Sequence, residues 1–243
     1  MNERCFVSYR SVRLGARSSS SGRARSFPLA LTLAAFLLAV PAGATAQDQP
    51  PELLLAIDAG DIGKIQELLD AGADPNLAFR DRTPLMFAIW SDRSDIFHLL
   101  LEEGADLKTG TEEMGPLITI AAGMGNTEVL GTLLDRGVDI DARATDGRTA
   151  LMIAVHNHHS DAVAFLIERG ADVNAQEGSG WTALMLAAMN GDLACVNHLI
   201  EGGADVNLET NDGESPLDRA RLLERTEVVE ALLAAGAKEG GLC

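Results

Sequence analysis

The sequence lacks the residue patterns that usually mark an enzyme. It contains no Gly-x-Ser-x-Gly nucleophile turn, no glycine-rich phosphate loop and no His-Glu-x-x-His metal motif. Its carboxylates are scattered along the chain, as they are on solvated helix faces. We therefore expect a protein that is not an enzyme, with no catalytic residue and no cofactor.

Cysteine is scarce as well. Of the three cysteines, Cys5 lies near the N-terminus, Cys195 lies on the apolar face of a predicted helix, and Cys243 is the last residue. A free and buried Cys195 is expected, because a helix face of this kind packs into the core. The alternatives are a disulfide between Cys195 and Cys243 in an oxidising compartment, or a Cys243 bridge between two chains.

Apolar runs long enough to cross a membrane are missing. The run Leu29–Val40 has 12 residues between two prolines, whereas a membrane-spanning helix needs about 20. Six arginines precede this run, and the small residues Ala44-Thr45-Ala46 follow it, which is typical of a secretory signal peptide. The basic region is longer than in most such signals, which leaves open a translation start near Val12 or Leu14.

The N-terminal pattern predicts how the chain is processed and where it goes. We expect residues 1–46 to be a signal peptide that is cleaved before Gln47, and residues 47–50 to be a linker. The predicted destination is the periplasm of a Gram-negative bacterium, with secretion as the alternative.

Basic residues are few. The chain has 19 lysines and arginines against 36 aspartates and glutamates, and removal of residues 1–46 takes away six arginines and one glutamate. The remaining 13 basic and 35 acidic residues give a net charge of −22. This charge repels phosphates and anionic lipids, so nucleic acid and membrane surfaces are not expected partners. It favours a basic protein partner, or confers solubility alone.

The chain does contain a repeat, which is clearest in residues 181–207. Here Thr182 caps a short helix, Gly191 ends it, Asp192 opens a second helix and Gly202-Gly203 stops that one. Helices shorter than roughly 12 to 15 residues are marginal in water, so further copies must bury their apolar faces. The equivalents of Thr182 recur in steps of 33 and are Thr83, Pro116, Thr149 and Ser215.

A closing Gly-Ala-Asp signal gives the same period. Its glycines lie at positions 72, 104, 137, 170, 203 and 236, so one step is 32 residues and four are 33. The short step places one residue fewer in the loop between Asp74 and Thr83. Six repeats follow, at approximately 51–80, 81–113, 114–146, 147–179, 180–212 and 213–238, with a flexible tail at 239–243.

These units resemble ankyrin repeats. Thr83-Pro84-Leu85 and Ser215-Pro216-Leu217 match the opening of the family's repeat, and Gly-Ala-Asp-Val-Asn at 170–174 and 203–207 matches its close. The resemblance implies an all-α solenoid of helix-turn-helix units with β-hairpin-like finger loops, in which each unit touches only its neighbours. The His that follows Thr-Pro-Leu in the family is replaced in this chain by Met86, Thr119, Met152, Met185 and Asp218.

The resemblance also implies where a partner binds. Ankyrin repeats usually bind proteins along a concave face made by their fingers and the exposed side of their first helices, and both end units here carry many polar residues that are expected to close a monomeric array. Tryptophan, methionine and arginine are enriched at interface centres, so we predict an apolar strip of Trp90, Met124, His156 and Met189. Packing against the neighbouring repeat is the alternative for these side chains. Trp181 lies where the family often has an aromatic residue before the capping Thr, so packing against the finger is its preferred role. The other predicted partner-binding residues are Asn157, Asn190, Arg80, Arg82, Arg143, Arg148 and Trp181.

Three histidines, His156, His158 and His159, invite a metal interpretation. Their spacing matches no standard zinc ligand set, and His158 occupies the turn position that Gly125 and Gly191 hold in other units. We therefore predict a structural turn and no metal.

The functional expectation is a non-enzymatic module that binds another protein of unknown identity. An accessory to a periplasmic enzyme is one role. An immunity protein that neutralises a basic toxin is a second role, and a structural cell-envelope protein without a single partner is a third. The sequence does not choose among them, because it defines a surface without naming what fits it.

Overall fold

The computed structural model describes residues 51–107 and 115–238; the predicted signal peptide, linker and tail, including Cys243, lie outside these ranges. Within them, twelve α-helices form six consecutive pairs, which we number as units one to six. The first helix of each unit has seven or eight residues and the second has nine. The helices are α1 (Glu52–Ala59), α2 (Ile62–Asp70), α3 (Pro84–Trp90), α4 (Ser94–Glu102), α5 (Leu117–Met124), α6 (Thr127–Asp135), α7 (Ala150–His156), α8 (Ser160–Glu168), α9 (Ala183–Asn190), α10 (Leu193–Glu201), α11 (Pro216–Leu222) and α12 (Thr226–Ala234).

The predicted helix caps are present. A side-chain hydroxyl accepts a hydrogen bond from the backbone N–H three residues later at the start of α3, α7, α9 and α11, over 3.2–3.5 Å. Each such bond satisfies one of the N–H groups that a helix start leaves without a partner. The capping residues are Thr83, Thr149, Thr182 and Ser215.

The helices pack in two layers. The first helices α1, α3, α5, α7, α9 and α11 lie side by side, and the second helices form the other layer, in contact from α4 through α12. The main contacts join helices of the same unit or of adjacent units, which is the arrangement predicted for a solenoid. One continuous apolar core runs through the six described units.

The third residue of every first helix is buried in this core, at the position where the family has His. Leucine or methionine fills the position in units one, two, four and five. In unit three, the Thr119 hydroxyl donates to the Pro116 carbonyl over 2.7 Å. In unit six, the Asp218 carboxylate accepts the Ser215 N–H over 3.0 Å and completes a capping box. Local bonds and apolar packing therefore take the place of the family's His.

The turn between the two helices alternates from unit to unit. In units one, three and five it is a left-handed glycine followed by Asp or Asn, whose side chain caps the second helix over 2.9–3.1 Å. In units two, four and six the left-handed residue has a side chain, and the next residue is Arg93, His159 or Arg225. Each of these three reaches back over the glycine of the preceding unit. A turn in an even unit therefore covers a turn in an odd unit.

Hydrogen bonds tie these turns into a ladder across the units. His159 Nε2 donates to the Gly123 carbonyl over 2.9 Å, and Arg225 Nε donates to the Met189 carbonyl over 3.3 Å. In the other direction, Asn126 Nδ2 donates to Asp92 over 2.9 Å, and His158 Nδ1 lies 3.0 Å from Asp192 Oδ2. The turn histidines thus join repeats, as the structural interpretation of His158 predicts.

The carboxylate of Asp192 both caps its own helix and contacts His158 of the preceding unit. Burial alone would raise the pKa of Asp192, but hydrogen bonds from the Cys195 backbone N–H and from His158 hold that pKa below its ordinary value. A depressed pKa means that ionised Asp192 stabilises the fold above the unfolded-state pKa, and that this contribution disappears as the pH falls through the folded-state pKa.

The loops between units add a second set of links. Four of the loops that follow a Gly-Ala-Asp or Gly-Val-Asp sequence are described in the structure. In each of them, an Asn or Asp side-chain oxygen accepts a hydrogen bond from a backbone N–H of the next unit over 2.7–3.0 Å. The links join Asn76 to Asp106, Asp141 to Asp172, Asn174 to Asp205, and Asn207 to Lys238.

The two ends of the array are less polar than the sequence predicts. Among the described residues, the large apolar side chains that are more than a third exposed all belong to the first and last units. Leu233, on the second helix of unit six, is 38% exposed. The exposed residues are Leu55, Ile62, Leu77, Leu222, Leu223 and Leu233.

Substitution by alanine is expected to destabilise the protein more at Gly125 than at Gly137, although both glycines have a left-handed backbone. A Cβ on Gly125 would lie 2.7 Å from His159 Cγ, whereas a Cβ on Gly137 would meet nothing within 4 Å. Gly125→Ala is expected to lower the free energy of unfolding by about 2–4 kcal/mol, and Gly137→Ala by about 1 kcal/mol, in urea denaturation. Equal losses would contradict close packing of His159 on this turn.

Candidate partner-binding surface

The stacked first helices place one equivalent position per unit in a line. This helix-end row consists of Trp90, Gly123, His156, Met189 and Leu222, the last residues or near-last residues of α3, α5, α7, α9 and α11. Trp90 and Met189 are half-buried against the core, and His156 is exposed. Leu222 is 66% exposed, the highest value among the exposed large apolar side chains. The row therefore presents apolar surface at both ends and a gap at Gly123.

Met124, predicted as part of the same strip, lies one position further along. It belongs to a second row with Asn157 and Asn190 and is half-buried against the core. Asn157 Nδ2 donates to the Gly123 carbonyl over 2.9 Å, and Asn190 Nδ2 donates to the Val155 carbonyl over 3.2 Å. These two amides thus join neighbouring units, a role that the sequence pattern did not reveal.

The first finger contains a tight two-residue turn. Phe79 and Arg82 exchange backbone hydrogen bonds of 3.0 and 3.1 Å, and the two residues between them, Arg80 and Asp81, have φ values of 50° and 59°. Positive φ at both central positions defines the turn type that usually carries Asn-Gly. The third, fourth and fifth fingers are one residue longer and place glycine at their left-handed position. This difference accounts for the 32-residue step.

Aromatic rings lie beneath the arginines of the first finger. The Arg80 guanidinium carbon is 5.1 Å from the centroid of the Phe79 ring, and that of Arg82 is 5.5 Å from the Trp90 ring. Trp90 in turn meets Phe87 edge to face, with ring centroids 5.8 Å apart. The finger and the start of the helix-end row therefore form one arginine–aromatic cluster.

The third finger holds the two remaining predicted arginines. Arg143 Nη1 donates to the carbonyls of Gly147 and Gln176 over 2.8 and 2.9 Å, so it links the third finger to the fourth. Arg148 pairs with Asp146 over 2.6 Å. The guanidinium of Arg143 is thus held by neutral carbonyl groups, whereas that of Arg148 faces a carboxylate.

Trp181 is half-buried against the core of the array. Its ring lies under Arg219 of the next unit, 4.6 Å from the centroid to the guanidinium carbon, and Arg219 also pairs with Glu214. Arg219 was not among the residues predicted to bind a partner. The 33-residue spacing aligns Leu222 with Met189, and the structure shows that Leu222 is exposed whereas Met189 is half-buried.

Cys195 is free and fully buried, as expected. Burial, together with the charge and hydrogen bonding of Asp192, raises the pKa of the Cys195 thiol to about 12. The thiolate that would react with an alkylating reagent or a disulfide is therefore absent at neutral pH.

Comparison with known proteins places this architecture in a family. A family profile described as "Ankyrin repeats (3 copies)" matches residues 30–111 and 174–240, and one described as "Ankyrin repeats (many copies)" matches residues 133–187. The chain belongs to the ankyrin repeat family. The first match begins inside the segment predicted as a signal peptide. Ankyrin repeats indicate a protein–protein interaction module, and the fold typically serves as a non-enzymatic scaffold.

A solved structure confirms the fold of the ankyrin array. The ankyrin repeat domain of Bcl-3, described as a unique member of the IkappaB protein family, is 29% identical, with a TM-score of 0.69 over 78% of this chain and 87% of that chain. The all-α solenoid predicted from the sequence is thus correct. Within residues 51–107 and 115–238, none of the helices has the length and apolar character needed to cross a membrane.

Curated relatives match over single stretches of repeats. The ankyrin repeat, SAM and basic leucine zipper domain-containing protein 1 of Equus caballus is 35% identical over 74 residues, which cover 30% of this chain and 16% of that protein. The 2-5A-dependent ribonuclease of Mus musculus is 42% identical over 65 residues, which cover 26% of this chain and 9% of that protein. Each match covers ankyrin repeats only, so it gives no evidence that this protein shares the activity of the relative.

The buried thiol predicts slow alkylation. Iodoacetamide at neutral pH is expected to leave the peptide that contains Cys195 unmodified in the native protein and to modify it fully in urea, because only unfolding exposes the thiol. Mass spectrometry of the digested protein measures both. Equal labelling in the two conditions would contradict the buried position.

Because Asp81 in the first finger has a left-handed backbone, its replacement by glycine is expected to stabilise the protein. Asp81→Gly is expected to raise the free energy of unfolding by about 0.5–1 kcal/mol, since glycine adopts a left-handed backbone without steric cost. Ser179→Gly, at an exposed fourth-finger position whose φ is not positive, is the matched control and is expected to lower stability slightly. Urea denaturation of both variants tests the sign, and a loss at both positions would contradict the strain.

Proposed function

We propose that this ankyrin array binds a partner protein along the helix-end row and the adjoining fingers, the concave face of the family. The observation that carries the proposal is the alignment of one position per unit, with Trp90 beside the first finger and Leu222 exposed at the far end. Tryptophan is enriched at the centres of protein interfaces, and an exposed apolar side chain such as Leu222 contributes binding free energy when a partner covers it. The array supplies a surface, and no enzymatic activity is proposed for it.

Export is part of the proposal. A basic N-terminal segment, a run of 12 apolar residues and a small-residue cleavage sequence support passage to the periplasm and release of residues 47–243. The role that we favour there is an accessory to a periplasmic enzyme. Intact mass spectrometry of the exported protein tests the processing step, and a mass that includes residues 1–46 would contradict it.

The pattern of the turns supports a monomer. At each described junction of an even unit with the following odd unit, the left-handed turn residue of the even unit contacts the residue that caps the second helix of the odd unit. The pairs are Asp92 with Asn126 and His158 with Asp192. A second copy stacked on unit six would bring Glu224 against Asp61 in the same way. Two carboxylates in this position repel each other, so end-to-end stacking of the array is disfavoured.

A second candidate function is neutralisation of a basic toxin. An open groove of about 510 Å³ lies at the turns of units two and three, and its lining includes Asp92, Asp95 and Glu128. Such a groove suits a lysine or arginine side chain of a basic partner. Tight one-to-one binding that is lost on Glu128→Lys would favour this role over the accessory one.

The main test uses capture of the partner from periplasmic extract. The tagged protein is compared with the variant His156→Glu/Leu222→Glu, whose two sites are exposed, and with Asn197→Glu, an exposed position on a second helix. The partner is expected to bind the unchanged protein and the Asn197 variant and to lose at least about tenfold in affinity for the double variant, since a buried interface excludes unpaired charge. Equal capture by all three would move the site away from the row. Capture by none would favour a structural role in the cell envelope.

A further inference from the structure

The fourth and fifth fingers carry negative charge that no basic residue of the described ranges neutralises. The fourth finger presents Glu177, and the fifth presents Glu209 and Asp212. Glu177 accepts the backbone N–H groups of Ser179 and Trp181 over 3.0 and 3.1 Å through the same oxygen, Oε1, and keeps its charge. Glu209 and Asp212 are exposed, and within residues 51–107 and 115–238 neither takes part in an ion pair.

Hydrogen bonds hold these two fingers at a fixed distance from each other. The backbone N–H of Asn211 donates to the Ser179 carbonyl over 3.0 Å, and the Asn211 side chain donates to the Gly178 carbonyl over 3.1 Å. Gln176 Nε2 donates to the Glu209 carbonyl over 3.0 Å. The carboxylates are therefore presented along one joined edge rather than by two independent loops.

This acidic edge adjoins the C-terminal half of the helix-end row. Glu214, at the base of the fifth finger, pairs with Arg219 on α11, so these two charges neutralise each other. Leu222 follows Arg219 by three positions and therefore lies on the same face of α11. Arg221 is next to Leu222 in the sequence, and adjacent positions of a helix do not share a face. A partner segment that covers Leu222 thus has the acidic edge beside it.

The spacing of the units decides which backbone conformation fits this surface. Stacked helices lie about 8–10 Å apart, so Met189 and Leu222 are separated by about one such step, as are the fourth and fifth fingers. In an α-helix, residues seven positions apart lie on the same face, about 10.5 Å from each other. In an extended chain, residues on the same face lie about 6.6 or 13 Å apart. A helix laid along the array therefore matches the period of both rows, and an extended strand matches neither.

We propose that Met189, Leu222 and the fourth and fifth fingers bind a basic amphipathic helix of the partner protein. Apolar side chains seven residues apart on this helix cover Met189 and Leu222. Lysines or arginines with the same spacing, about 100° further round the helix, face the carboxylates of the two fingers. The opposite charges fix how the helix is turned against the array. This inference rests on the proposed function and names the chemistry of its partner.

A synthetic helical peptide tests the inference. The probe is an alanine- and glutamine-based peptide of about 16 residues with a leucine at every seventh position and a lysine after each leucine, and glutamates replace the lysines in the reference peptide. Nuclear magnetic resonance of the ¹⁵N-labelled full chain is expected to show that the lysine peptide shifts signals of α9, α11 and the fourth and fifth fingers. The glutamate peptide is expected to bind at least about tenfold more weakly, because like charges repel.

Variants of the fifth finger test the charge pairing. Glu209→Lys/Asp212→Lys is expected to weaken binding of the lysine peptide by at least about tenfold, since it replaces attraction with repulsion. Glu227→Lys/Glu230→Lys is the matched control, because it changes the net charge equally at two exposed positions of the second helix α12, and it is expected to change binding by less than about twofold. Equal weakening by the two variants, or equal binding of the two peptides, would overturn the inference.

The outcome for this surface is separable from that of the proposed function. A partner that is captured through the helix-end row, and equally well by the Glu209→Lys/Asp212→Lys variant, would contradict the basic helix alone. Binding of the lysine peptide at these fingers without any captured partner would support the site and count against the proposed function.

Discussion

The structure depends on the fact that none of the twelve helices in the described residues is long enough to be stable by itself. Helices of seven to nine residues fall below the marginal length in water, so each exists because its neighbours bury it. Apolar burial between adjacent units is therefore the dominant stabilising interaction, and the main contacts run between adjacent units only. An array of this kind has few long-range constraints, which is why its surface positions are free to vary.

Polar links between the units set their register. The turn ladder joins units through side-chain pairs and through backbone carbonyls, and the Asn and Asp bonds between loops use backbone N–H groups that would otherwise be unpaired. Together these bonds fix how one unit sits on the next. The alternation of glycine turns with side-chain-bearing turns makes the repeating element two units long at this edge. Replacing one of these turn glycines would therefore displace the Arg or His side chain of the following unit, although the repeats look independent in sequence.

Regular stacking also explains how such a scaffold provides a binding surface. Equivalent side chains lie in rows, so a surface is specified by one residue per unit, and neighbouring rows have different chemistry. The helix-end row is apolar at both ends, while the finger edge changes from arginine-rich to acidic along the array.

The sequence by itself determined the repeat, the helix pairs, their caps and the all-α solenoid, because a 33-residue period places caps, glycines and apolar faces in the same phase. It also determined the burial of Cys195 and the turn position of His158. Only the tertiary structure decided that Asn157 and Asn190 join adjacent units, that His159 covers Gly125, and that Leu222 is left exposed. The bonds and the covered turn arise from the contact of one unit with the next, and exposure depends on the packing around each side chain, so a repeat pattern read along the chain does not contain these facts.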